Sequence, residues 1–384
     1  MNAEQFCELA GRLMRCPAVP YHEAAVRAEA ELICAQHGLR FERDPFGNLL
    51  VRLQTAPEQR PLVLAAHLDH PGFEVIRALS PHRWLARFLG GVPENYFRPG
   101  IPLRLFPGAK PGSLGKKAGA EKHFEIHAPP VAPFQKSRLS AASRESAPAS
   151  LAWAPSATPQ FAVWELEDFS VRRGRIHGRS CDDLIGVAAV LATLIDLKSK
   201  RSRVNVIGVI SRAEEVGFQG ALTVAAARLL PPKSLIISLE TSREIPPVKM
   251  GGGVIIRVGD RTSVFDSAAT RFLTEVARGL GTINKPFLSQ RALMSGGSCE
   301  ATAYQEFGFQ TGAVCVALGN YHNCAPREKI AAEFVSVSDA CGMVRLLVEA
   351  ARQMPAYTGL VAKLPRRLNG MLKAARKALR SFRY

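Results

Sequence analysis

Residues 61–69, Pro61-Leu62-Val63-Leu64-Ala65-Ala66-His67-Leu68-Asp69, hold an apolar run that ends in His-x-Asp. A run this short, stopped by proline on one side and polar residues on the other, reads as a buried strand rather than a helix. The pattern recurs downstream. Val204–Ile210 leads to Glu214-Glu215, Leu235–Leu239 leads directly to Glu240, and Ala313–Leu318 leads to His322. Helical patterns separate these strands, so the sequence predicts an α/β architecture. In open α/β sheets, ligands bind in the crevice outside the carboxyl ends of the strands. Residues far apart in sequence are therefore expected to meet there.

Working outward, Phe6, Leu9, Ala10 and Leu13 recur at helical spacing, and a second helix is expected over about 22–37. Asp44-Pro45-Phe46-Gly47-Asn48 makes a turn before the strand Leu49–Leu53. From 75 to 176 the pattern changes to short strand-like pieces with many glycines and prolines, which predicts a small all-β insertion. Within it, about 108–160 is low in complexity and reads as a loop excursion. Helices are then expected over 184–198, near 221–229, over 267–279 behind the N-cap Asp266, and over about 336–352. Residues 1–74 and 177–354 should form one interrupted α/β domain, since each piece lacks a full set of ligand candidates. Residues 355–384 form a separate basic tail. There Leu364, Leu368, Leu372, Ala375, Leu379 and Phe382 fall on one helical stripe, with Pro365 suited to a first turn.

The 384 residues carry 50 Lys or Arg against 33 Asp or Glu, a formal charge of +17. Eight of the Lys and Arg, and no acid, lie in the tail. The excess charge is thus partly segregated from the ligand candidates. No aromatic-interleaved basic strand accompanies it, so specific nucleic-acid recognition is not expected. The tail reads by default as a solvated, partly frayed helix, with weak contact to an anionic surface (lipid, RNA or an acidic partner) as the alternative. No run approaches the roughly 18–20 apolar residues of a membrane span. The start, Met1-Asn2-Ala3-Glu4-Gln5-Phe6, lacks a secretory pattern, and the eight cysteines form no Cys-x-x-Cys pair. A reducing cytoplasm is the expected location.

Two histidines and several carboxylates at strand ends are the inventory of a dinuclear metal centre. Zinc takes His nitrogen and Asp or Glu oxygen, and two metals can share a carboxylate. His67, His322, Asp182, Glu240, Glu215 and Glu214 together fill the inventory of ligands and a free carboxylate base, and Asp69 is placed to orient the His67 imidazole. Asp183 reads as an orienting or capping neighbour. Cys181 and Cys299 read as small packing residues. His70, His82, His123, His127 and His177 read as surface or structural.

An ordered series of motifs resembles the glutamyl-aminopeptidase, or tetrahedral aminopeptidase, family (cellulase-M-like) of dinuclear zinc metallopeptidases. It comprises Tyr21-His22-Glu23, Asp44-Pro45-Phe46-Gly47-Asn48, His67-Leu68-Asp69-His70-Pro71-Gly72-Phe73 and Gly90-Gly91. It continues through Gly178-Arg179-Ser180-Cys181-Asp182-Asp183-Leu184-Ile185-Gly186, Glu214-Glu215-Val216-Gly217-Phe218-Gln219-Gly220, Gly296-Gly297-Ser298 and Tyr321-His322-Asn323. The resemblance implies a mixed sheet sandwiched by helices, with the insertion forming a small β-barrel lid. It also implies two divalent metals per chain, zinc first and cobalt or manganese as substitutes. Asp182 would bridge them, His67 and Glu240 completing one site and Glu215 and His322 the other, with Glu214 as base. Substrates would be peptides with a free N-terminus. A homo-oligomer is compatible with the resemblance, although the 108–160 excursion departs from the family. Glu240 stands where the family usually has Asp, and Gly296-Gly297-Ser298-Cys299-Glu300 replaces a usual Gly-Gly-Thr-Asp-Ala. The alternatives are a related deacylase or carboxypeptidase, or a non-catalytic homologue that binds anionic surfaces.

Overall fold

A computed structural model describes residues 1–119, 121–128, 158–281 and 286–381. Helix α1 (Ala3–Met14) starts at Asn2, whose side chain accepts from Gln5 N while the Gln5 side chain returns the contact. Helix α2 (Ala24–Gln36) follows, then strands β1 (Arg40–Arg43), β2 (Leu49–Gln54) and β3 (Leu62–His67). Every residue of β3 is buried.

Strands β4 (Gly72–Ser80), β5 (Arg83–Leu89), β6 (Pro102–Phe106), β7 (Lys110–Lys117), β8 (His123–His127) and β9 (Phe161–Trp164) close into a barrel in the order β4-β5-β8-β7-β6-β9. Phe73, Phe88, Phe97, Phe124 and Trp164 fill its interior, mostly edge to face. Residues 110–117 and 123–127, read from composition as part of the excursion, are therefore barrel strands. Their glycines mark close packing: a Cβ on Gly112 would lie 2.4 Å from Leu105 Cδ1, and one on Gly115 2.8 Å from Glu125 Cβ. Residues 129–157 of that segment lie outside the described residues.

The chain returns through β10 (Ser170–Arg172) and β11 (Arg175–Gly178) to α3 (Cys181–Ser199). Nearly every residue of α3 is buried on all sides, the mark of a helix running through the core. It begins three residues before the periodicity suggested, because Cys181 to Asp183 form its irregular head. Next come β12 (Asn205–Ser211), α4 (Gln219–Ala226), β13 (Leu235–Arg243), β14 (Val254–Gly259), α5 (Ser267–Leu280) and β15 (Ser289–Leu293). Asp266 caps α5, its carboxylate accepting from Ala269 N. Helix α6 (Glu300–Glu306), β16 (Gln310–Gly319), the short pair β17 (Cys324–Ala325) and β18 (Lys329–Ile330), β19 (Glu333–Ser336), α7 (Val337–Gln353), α8 (Tyr357–Val361) and α9 (Lys363–Ser381) complete the chain.

The main sheet is mixed, in the order β1-β2-β12-β3-β13-β16-β19-β11-β10, with β14 and β15 branching from β16. Its centre, β12-β3-β13-β16, is parallel, in the register Ser211↔His67 and Glu240↔Cys315. That register brings the carboxyl ends of four strands to one edge. Among the described residues no helix is long and apolar enough to cross a membrane.

Candidate metal centre

His67 is the last residue of β3, Glu240 lies late in β13, and Asp182 heads α3. Glu214, Glu215 and His322 sit on turns beyond β12 and β16. The turn at 212–215 is held by groups from three other segments. Asp69 accepts from Glu214 N at 2.9 Å and from Glu215 N at 3.0 Å. Glu23 accepts from Ala213 N at 3.1 Å and from the Arg212 guanidinium at 2.8 Å. Asn48, itself fixed by Asp44, accepts from Arg212 N at 3.0 Å. Two of the motifs quoted above, around Glu23 and Asp44, thus brace this turn.

The turn at His322 is held otherwise. Buried Glu333 accepts from His322 N at 2.8 Å and from Asp182 N at 3.0 Å. His70 spans Asp182 O at 2.7 Å and Asn323 Oδ1 at 3.1 Å. His70 is buried, and structural rather than solvated. Glu333 escaped the sequence reading because β19 offers no motif around it. A buried acid in a short strand was the only available signal.

Asp69 meets the His67 imidazole chiefly through its backbone carbonyl, with its carboxylate further off. Nδ1 of His67 lies 3.0 Å from the Asp69 carbonyl oxygen but 3.6 Å from Oδ1. Nδ1 of His322 likewise lies 2.7 Å from the Gly91 carbonyl oxygen. A carbonyl can only accept, so both rings carry their proton on Nδ1, leaving the Nε2 lone pair for a ligand. Both Nε2 atoms face Asp182, His67 at 3.6 Å from Oδ1 and His322 at 3.4 Å from Oδ2. Nε2 of His67 is 3.9 Å from Glu214 Oε2, and that of His322 is 3.0 Å from Glu215 Oε1.

Two groups of donors result, His67 with Glu214 and Glu240, and Asp182 with Glu215 and His322. Within each group the ligand atoms lie within 4.8 Å of one another. The geometry thus counts Glu214 itself among the donors of the first group and gives Asp182 one oxygen toward each imidazole. Asp182 Oδ1, Glu215 Oε1 and Glu240 Oε1 are buried and accept no hydrogen bond from the described residues. Orphaned buried carboxylate oxygens beside imidazole lone pairs form a donor set that fits hard divalent cations.

The electrostatics agree with that fit. Burial, reinforced by the charge of Asp182, pushes Glu240 up to about 8. Burial and then Glu240 and Glu215 raise Glu214 well above the usual carboxylate range. Burial opposes ionisation of Asp182 too, but contacts from His322 and His67 outweigh it and hold its carboxyl low. Burial would lower both imidazoles, yet Glu214 around His67 and Glu215 around His322 raise them instead. Packed like charges of this kind are what a bound cation offsets.

The cleft beside these groups is lined by Arg243, Ile245, Arg257, Met294, Gly296, Gly297, Ser298 and Tyr321. Tyr321 stacks on His322 with ring centroids 3.8 Å apart, and the Arg243 guanidinium covers the Tyr321 ring at 5.2 Å. Cys181 and Cys299 are fully buried, and burial raises both thiols, which suits packing rather than nucleophilic use.

The family model of M42 glutamyl aminopeptidases matches residues 157–333. No curated protein matches the chain in sequence. In fold it is similar to the TET1 peptidase of Pyrococcus horikoshii, which can assemble into a tetrahedron or a large octahedral shell. That match has a TM-score of 0.70 at 21% identity, covering 90% of this chain and 99% of that one. It is also similar to the TET aminopeptidase of a marine sediment thaumarchaeote (TM-score 0.72, 20% identity, 93% and 99% covered). A third is an aminopeptidase of Desulfurococcus kamchatkensis (TM-score 0.71, 18% identity, 93% and 98% covered). At these identities the likeness is one of fold. The resemblance read from the motifs therefore holds: over residues 157–333 the chain is similar in sequence to the M42 glutamyl aminopeptidases, and over 90% or more of its length it shares its fold with the TET peptidases.

Proposed function

We propose that this chain is an aminopeptidase that uses two divalent metals, zinc first among them, to remove N-terminal residues from peptides. The observation that carries the reading is the pair of opposed His-carboxylate groups with Asp182 presenting one oxygen to each. In this reading His67 and Glu240 hold one metal, Glu215 and His322 the other, and Asp182 both. Bound metals would polarise the scissile carbonyl and lower the pKa of the attacking water. Glu214 accepts the proton of that water as its oxygen bonds to the carbonyl carbon. When the C–N bond breaks, Glu214 returns the proton to the leaving amine. Asp69 serves this step by fixing the backbone of Glu214 and Glu215 rather than by touching substrate.

The α/β part of the chain, before β4 and after β9, would carry the centre, and the β4–β9 barrel would cover it, reaching His322 through Gly91. Assembly of copies into a homo-oligomer, as the Pyrococcus protein does, and a cytoplasmic location fit the same reading. The test is Glu214→Gln in zinc-loaded protein, assayed on an aminoacyl amide and on its N-acylated counterpart. Turnover should fall by about 10²–10⁴-fold. Metal content should stay at two per chain, and only the free amine should be a substrate for the wild type. Wild-type turnover by the variant with both metals bound would overturn Glu214 as base. Preference for the N-acylated compound would favour a deacylase.

A further inference from the structure

Helix α9 has two faces of opposite character, and among the described residues both are largely exposed. At 3.6 residues per turn, Leu364, Leu368, Met371, Leu372, Ala375 and Leu379 fall within an arc of about 100°. All seven Lys and Arg of the helix lie outside that arc, and it holds no acid. Among the described residues the apolar stripe is left exposed rather than packed against the body of the protein. Leu368, Met371 and Leu379 are 52%, 56% and 77% exposed. The start of the helix is tied to α5 through Lys363 Nζ to Glu275 Oε2 at 3.0 Å, and the end of α8 just before it through Arg271 to Val361 O at 3.2 Å. Arg271 and Arg291 line the hollow between that anchor and α5, extending the positive surface onto the body.

We propose that α9 lies flat on an anionic phospholipid surface, with its leucine stripe in the acyl boundary and its cations among the headgroups. The choice of partner follows from the need to satisfy both faces at once. A nucleic acid would neutralise the cations and leave the stripe in water. A second copy of the helix would cover the stripe but bring two sets of cations together, with no acid on α9 to pair them. A charged bilayer places an apolar layer directly beneath a layer of negative charge, the same order in which the two faces of α9 are arranged. This inference is independent of the peptidase reading.

The experiment is co-sedimentation of the full chain with vesicles of equal parts phosphatidylcholine and phosphatidylserine, against vesicles of phosphatidylcholine alone. The chain should bind the first and not the second, and added salt should weaken binding. The double variant Leu368→Gln, Leu372→Gln should lose about tenfold or more in vesicle affinity while keeping its retention on heparin. The triple variant Arg376→Gln, Lys377→Gln, Arg380→Gln should lose both. Exposure of these side chains leaves the fold of the body unaffected by either change. Three results would each overturn the proposal: no binding of the wild type to anionic vesicles, undiminished vesicle binding by the leucine variant, or an oligomer that only the leucine variant dissolves.

Discussion

Two turns deliver ligand candidates beyond the ends of β12 and β16, and both enter left-handed backbone space. Ala213 has φ 52°, and Asn320, His322 and Asn323 have φ 55°, 54° and 62°. A non-glycine residue there costs on the order of 1–3 kcal/mol and persists only where its surroundings over-determine it. The two turns meet that cost in different ways. Asp69 gives both carboxylate oxygens to neighbouring N–H groups of one turn, while Glu23 and Asn48 hold the residues before them. Glu333 divides its oxygens between two elements, the head of α3 and the His322 turn. The first arrangement is a local clamp. The second links two ligand candidates, so a disturbance at Glu333 reaches both.

That contrast can be broken by experiment. Glu333→Gln replaces one acceptor with a donor facing a backbone N–H, so one of the two bonds must be lost. Under the two-metal reading the variant should weaken metal binding by about 10–100-fold and affect both ions, since Asp182 serves both. Isothermal titration of zinc into metal-free protein would check it. A variant that binds one ion normally would refute the linkage.

Asp69→Asn should act more narrowly. It disturbs chiefly the N–H groups of Glu214 and Glu215, so the ion assigned to Glu215 and His322 should weaken by about tenfold and the His67 ion by less. Turnover should fall along with it, because Glu214 shares the clamp. Equal loss of both ions would remove the distinction between the turns.

The smallest effect is one of pH on the metal-free protein. Glu240 is raised from 4.5 to about 8 and Glu300 from 4.5 to about 7, both mainly by burial. The folded state therefore holds protons that the unfolded chain has released. Stability from these groups is fully present below about pH 4.5 and is lost as pH rises through 7 to 8. Melting temperature should thus decline by a few degrees over that interval, and saturating zinc should remove the decline. A flat profile in the metal-free protein would argue against buried protonated carboxylates.

The strands and the ligand candidates were legible because each depends on local pattern. An apolar run bounded by proline or polar residues can hardly be anything but a buried strand, and histidines and acids at four such ends suggest a shared crevice. The stripe of α9 is local in the same sense, and residues 363–381 form the helix its spacing predicts. Phe382, the last member of that stripe, lies outside the described residues. The barrel strands at 110–127 were not legible, since Lys110-Pro111-Gly112 and Gly115 resemble loop residues until Leu105 and Glu125 are seen packed where a Cβ would stand.

From sequence alone came the α/β class, the presence of a β insertion, the basic amphipathic helix and the candidates of the His-carboxylate set. Only the tertiary structure decided that the Asp69 carboxylate grips the backbone of Glu214 and Glu215, that His70 is buried against the head of α3, and that Glu333 joins Asp182 to His322. Periodicity and composition act over a few residues. The hydrogen bonds made by these three side chains to residues far off in the chain depend on sheet register and on the close approach of separate turns, which no local stretch encodes.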